Sequence, residues 1–181
     1  MITAWVALAA AVLSPDLSRS AKQKLDRIYE GKVPPRSTIL LSQDEINSFL
    51  RYDYAAQVPR GVTEPWIGLE PDLVQGSAAV DFAEWRTAGG APPGKLLGWL
   101  LRGKRKVEAA GRFTSSGGNG RVDIESVKIG GMPISAAAVT FLIEHMVRPR
   151  YPAAVVGRSV PLAFHLEQAR VERGRLVLRF R

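Results

Sequence analysis

SAAAVTFLIEHMV, Ser135 to Val147, holds the most apolar of the helices expected in this chain. Ser135 is a good N-cap residue, because its hydroxyl can accept from an orphan amide of the first turn. The helix behind it, Ala136 to Val147, carries Val139, Phe141, Leu142, Ile143 and Met146 and is apolar on nearly every side. A helix without a polar face belongs inside a protein, and Pro149 and Pro152 stop it. The segment predicts a deeply buried helix with the rest of the chain built around it.

Upstream lie strands. Lys104 to Thr114 alternates Lys106, Glu108 and Arg112 against Val107, Ala109 and Phe113, and SGGNG (Ser116–Gly120) makes the turn. The return strand, Arg121 to Ile129, puts Val122 and Ile124 on one parity and Val127 and Ile129 on the other. A change of parity inside a strand predicts a bulge, and so curvature. Trp66 to Glu70 reads as an earlier strand, and Leu73 to Trp85 as a longer one with Val74, Val80 and Phe82 on one parity. Thr87 to Gly94 is a loop. A last hairpin, Val160 to Val171 and Arg175 to Arg181, turns at Glu172-Arg173-Gly174.

The N-terminal half reads as helical. Ser14-Pro15 is an N-cap followed by proline at the first helical position, opening a helix from Asp16 to about Glu30. Ser42-Gln43-Asp44-Glu45 is a capping box, and the helix Gln43 to Arg51 behind it presents Ile46, Phe49 and Leu50 on one side. The order of elements predicts an α+β fold: a strongly curved antiparallel sheet wrapped around a long apolar helix, with additional N-terminal helices. Residues 14–181 are expected to form one domain.

Composition narrows the chemistry. The chain has 181 residues, 46% hydrophobic and 23% charged, which is enough for a core without metal or disulfide staples. It has no cysteine, which removes zinc–thiolate sites, disulfides, iron–sulfur clusters, cysteine nucleophiles and a lipidated N-terminal cysteine. The net charge of +8 favours anionic partners, unless it reflects only an arginine-rich coding bias. Ile2 to Leu13 is a charge-free stretch, too short for the about 20 residues that span a bilayer. It fits the apolar core of a secretory signal peptide with a small-residue step at Ala9-Ala10-Ala11. The other reading is an uncleaved helix packed on the domain or resting in a membrane interface. Export to a periplasmic or extracytoplasmic location is the expectation.

Catalytic patterns are sparse. His145 and His165 lie in different elements without metal-ligand spacing; His145 reads as a hydrogen-bonded core histidine and His165 as a solvated strand position. No GxSxG elbow, GxGxxG turn or P-loop lysine occurs. Asp81 with Glu84, and Asp123 with Glu125, are the carboxylate pairs, each fitting an outward alternation partnered by arginines. The chain is expected to be no enzyme and to need no cofactor or metal.

GKLLGWLLRGKRK, Gly94 to Lys106, is different in kind. Leu96, Trp99 and Leu100 among other leucines, followed at once by Arg102, Lys104, Arg105 and Lys106, have the make-up of an interfacial membrane segment. A core-packing helix followed by a solvated strand start explains the same residues. Nucleic acid is not an expected partner, since no nucleic-acid-binding motif accompanies the cations.

Several stretches carry a family likeness. LSQDEINSFL (Leu41–Leu50), Gly61-Val62 with a β-meander, VKIGGMPIS (Val127–Ser135) leading into an apolar helix, and VPLAFHLEQARVERGRLVLRF (Val160–Phe180) resemble small bacterial periplasmic proteins related to the tubular lipid-binding (TULIP-like) group. The likeness spans most of Ile39 to Arg181, and the lipobox cysteine common in such relatives is missing. It implies a lipid-binding groove between a curved sheet and a long helix, and no catalytic residues. The wall candidates are Val139, Phe141, Leu142, Ile143 and Met146 on the helix, with Phe82, Val107, Phe113, Phe164 and Leu166 on strands. Two functions follow: binding of a lipid or other apolar small molecule, or a structural or protein-interaction module whose groove is filled by its own side chains.

Overall fold

A computed structural model describes residues 12–85, 95–149 and 156–181, without the side chains of Trp85, Leu96 and Met146. The signal-like stretch Ile2 to Leu13 falls almost wholly outside the described residues, as does the loop Thr87 to Gly94.

The fold is α+β with antiparallel sheets. Helix α1 (Pro15–Tyr29) starts as its sequence requires: the Ser14 hydroxyl accepts from the Leu17 N–H at 3.2 Å, with proline beside it. Strand β1 (Thr38–Ser42) runs straight into α2 (Gln43–Tyr52). There the capping box closes in both directions, the Glu45 N–H donating to the Ser42 hydroxyl at 3.1 Å and the Ser42 N–H to the Glu45 carboxylate at 2.8 Å. A hairpin of β2 (Val62–Glu70) and β3 (Leu73–Asp81) follows, then the helical turn α3 (Phe82–Trp85), α4 (Lys95–Leu100), and the long hairpin β4 (Lys104–Ser116) and β5 (Asn119–Ile129). Short β6 (Met132–Pro133) leads into α5 (Ala136–Leu142), and β7 (Val160–Pro161), β8 (Leu166–Glu172) and β9 (Arg175–Phe180) end the chain.

The strands make two sheets. One has the order β1-β9-β8, and the other β2-β3-β4-β5-β6 with β7 also on β5. Neither list of strands closes on itself. The expected parity change in the return strand is met by a bulge: Ala110 pairs with Ser126 and Gly111 with Ile124, leaving Glu125 as the extra residue of β5. The two sheets are joined by hydrogen bonds. The Ser115 hydroxyl donates to the Ala169 carbonyl at 2.5 Å and accepts from the Ala169 N–H at 2.8 Å, and Asp72 N–H donates to Val171.

Each sheet has its own core. Ala21, Ile28, Ile39, Leu41, Ala169, Leu178 and Phe180 fill the space between α1 and the three-stranded sheet. Val80, Phe82, Leu97, Leu100, Leu101, Ile129 and Ala138 fill the space where α3, α4 and α5 cover one end of the larger sheet. α1 and α2 also pack on each other, and Ser18 and Ser48 of these helices are buried.

Four expectations need correction. The strands form two open sheets rather than one strongly curved sheet wrapped around a helix. The apolar helix is neither long nor deeply buried. Its α-helical part is seven residues, Ile143–Val147 continues as a π turn, and Ala138 alone is buried among Ala136–His145. The segment uses one side against the core, while the alanines at 136 and 137 face out. The strand read from Leu73 to Trp85 ends at Asp81, whose carboxylate accepts from the Ala83 N–H at 2.9 Å and turns the chain into α3. The strand read from Val160 to Val171 is broken by Phe164 and His165, both left-handed with φ 57, where the chain crosses from one sheet to the other. His165 is therefore a turn residue.

Candidate functional site

α5 and the π turn form one wall of an open groove of about 620 Å³, and the bulged part of β5 forms the other. Spacing in a helix explains which side chains reach it. Ala136, Val139, Thr140, Ile143 and Glu144 share one face, three or four residues apart. Ile124 and Val127 come from β5, Ile134 from the β6–α5 link, and Val156 and Arg158 from the chain before β7. Ile124, Val127, Ile134, Val139, Ile143 and Val156 supply the apolar lining, and Val156 is exposed.

The charged members other than Arg158 are engaged. Arg121 makes a two-pronged hydrogen bond to Asp123 at 2.7 and 2.8 Å, which with its positive charge holds the Asp123 carboxyl below the ordinary aspartate range. Arg112 holds Glu125 at 3.0 Å, and Arg148 holds Glu144 at 2.6 Å. Arg158 forms no ion pair among the described residues. The lining thus offers apolar contact surface together with paired charges.

The residues expected to wall a groove are divided between this hollow and the two cores. Val139 and Ile143 line it. Phe82, only 4% exposed, sits in the solid core of the larger sheet, and Val107, Phe141 and Leu142 pack against that core. Phe113 and Leu166 pack into the core of the other sheet. Phe164 is 43% exposed in its turn, its ring edge-on to Tyr29 at 4.9 Å. The Met146 side chain lies outside the described residues. Ile124, Val127, Ile134 and Val156 line the groove without having been candidates. The parity change in β5 was the one usable signal, because it turns Ile124 and Val127 towards the same groove on either side of Glu125.

The basic segment is likewise divided. Leu97, Leu100 and Leu101 are buried in the core, so Leu100 is an anchor rather than a surface contact. Trp99 is 50% exposed, with the Arg105 guanidinium 5.0 Å from its ring centroid. Arg102, Lys104 and Lys106 are exposed, and Lys106 donates to Glu108 at 2.8 Å. The Leu96 side chain lies outside the described residues. A second hollow, about 410 Å³, lies against the larger sheet between Trp66, Ser77, Glu108 and Lys128.

His145 stacks on Phe141, ring centroids 4.4 Å apart, with Nδ1 3.0 Å from the Phe141 carbonyl oxygen. Among the described residues no cluster of three or more histidines and carboxylates could hold a metal ion, and no helix is long and apolar enough to cross a membrane. Compared with known proteins, the chain matches no family model, no curated protein and no solved structure.

Proposed function

We propose that the protein binds an acyl chain or a similar apolar small molecule in the groove between residues 136–148 and β5, without catalysis, in the cell envelope. One observation carries this reading: a groove of about 620 Å³ bordered by six aliphatic side chains, above the roughly 300 Å³ that ligand sites begin at. The resemblance to the tubular lipid-binding group supports it. The envelope location rests on the signal-like stretch Ile2 to Leu13. Ten methylenes leaving water would contribute about 8 kcal/mol. Loss of translational freedom and chain ordering offsets part of that, so the affinity is weaker than the roughly 1 μM to which the full ~8 kcal/mol corresponds.

A second reading, a protein-interaction module, draws on the solid packing around Phe82, Val107, Phe141, Leu142, Phe113 and Leu166. Two substitutions separate them. Ile143→Trp puts an indole into the open groove, whereas Leu142→Ala hollows the core beside it and costs about 2 kcal/mol of stability. In the binding reading, organic extraction of the purified protein releases lipid and a fluorescent fatty acid titrates the site. Ile143→Trp then weakens that titration at least tenfold, and Leu142→Ala spares it. Absence of both lipid and titration would leave the interaction module.

A further inference from the structure

The basic segment has an architecture of its own, away from the groove. Leu97, Leu100 and Leu101 fasten α4 to the larger sheet, which leaves Trp99 on the outer side with half its surface in water. Gly103, at φ 63, makes the tight turn into β4 that only glycine takes readily. This turn brings Arg105 back under the indole, 5.0 Å from guanidinium to ring centroid. Arg105 Nε is buried without a hydrogen-bond partner, so the indole face holds this guanidinium in place of a carboxylate. Lys95, Arg102 and Lys104, close to Trp99 along the chain, are exposed. Among the described residues none of Lys95, Arg102, Lys104 and Arg105 is in an ion pair, although most other cations of the chain are. No acid interrupts the stretch from Lys95 to Lys106.

We propose that this segment, Trp99 stacked on Arg105 and flanked in sequence by Lys95, Arg102 and Lys104, docks the protein on an anionic lipid membrane. The indole is suited to the headgroup boundary, apolar in body with one N–H to place, and the cations meet lipid phosphates. α4 has six residues and cannot span a bilayer, so the contact is with the surface. Unpaired cations are what such a partner needs, because a cation already bound to a carboxylate is neutralised. The inference is independent of the groove.

The test is co-sedimentation of the full-length chain with vesicles of mixed phosphatidylglycerol and phosphatidylcholine, and with phosphatidylcholine alone. Wild type, Trp99→Ser and the double variant Arg102→Gln/Lys104→Gln all keep the N-terminal segment, so its contribution cancels. Each cation near an anionic surface is worth about a fivefold change in affinity, and the double variant should bind anionic vesicles about 25-fold more weakly. Trp99→Ser should weaken binding at least fivefold with an unchanged unfolding midpoint. Added salt should abolish what cations contribute. The proposal is overturned if neutral and anionic vesicles bind alike or if the double variant binds as wild type. It is equally overturned if Trp99→Ser unfolds the protein, or if the double variant loses affinity for duplex DNA and not for vesicles.

Discussion

Replacing Asn47 by alanine should be among the most damaging single changes in this protein. Its side chain is 2% exposed and behaves like a short piece of β-strand. The amide oxygen accepts from the Ile67 N–H at 2.7 Å, and the amide nitrogen donates to the Ile67 carbonyl at 2.7 Å and to the Gln43 carbonyl at 3.0 Å. Gln43 adds a fourth bond, accepting from the Leu69 N–H at 2.7 Å. β2 is an edge strand of the larger sheet, and α2 covers that edge through these two side chains. In Asn47→Ala the Ile67 N–H and carbonyl lose their partners. Each buried unpaired group costs about 1–3 kcal/mol, and each lost bond about 1 kcal/mol net. Ile67 is only half-buried, so water recovers part of this and a loss of about 3 kcal/mol is expected. For a chain of this size that lowers the thermal midpoint by about 6–12 °C. Urea unfolding followed by circular dichroism measures it, with a lower midpoint at unchanged slope. Asn47→Asp gives an internal control: its carboxylate keeps the bond to the Ile67 N–H but faces two carbonyls. It should be as unstable as the alanine variant at neutral pH and recover in mild acid, when the protonated group can donate again. A cost under about 1 kcal/mol for Asn47→Ala would refute the claim that these bonds hold α2 to the sheet edge.

Two further outcomes are expected. Burial pushes the Glu45 carboxyl up, but hydrogen bonds from Lys24 and Ser20 at 2.6 Å and from the Ser42 N–H outweigh it and hold the group below its ordinary range. A depressed folded value means that its contribution is complete above the unfolded value of about 4.3 and is lost as pH falls through the folded one. Wild type should thus lose stability below about pH 4.3 more steeply than Glu45→Gln, and coincident acid profiles in denaturant titrations would count against the network. Gly68→Ala would put a Cβ 2.5 Å from the Trp66 ring, so the indole must swing off the strand; quenching of tryptophan emission by acrylamide should rise, at a cost of about 1 kcal/mol in stability.

Local structure in this chain was legible because local chemistry decides it. Ser14-Pro15, the Ser42–Glu45 box and Ser135 each satisfy amides within their own first turn, so no distant residue is needed to place them. The bulge in β5 was legible too, since a parity change within eleven residues has one geometric solution. Composition likewise settled that no thiolate or disulfide chemistry is available.

Partnership between distant segments was decided by tertiary structure. Alternating hydrophobicity says that a strand has a buried face, not which strand it pairs with. Nothing local shows that β1 pairs with β9, over 130 residues away, and so divides the strands into two sheets. The apolar run 136–147 satisfies the pattern of a central helix, yet its burial depends on what surrounds it. Two cores formed without enclosing it, and one of its sides was left over an open groove. Asn47 was invisible for the same reason: an amide mid-helix reads as solvated until a strand edge arrives beside it to take both its donor and its acceptor.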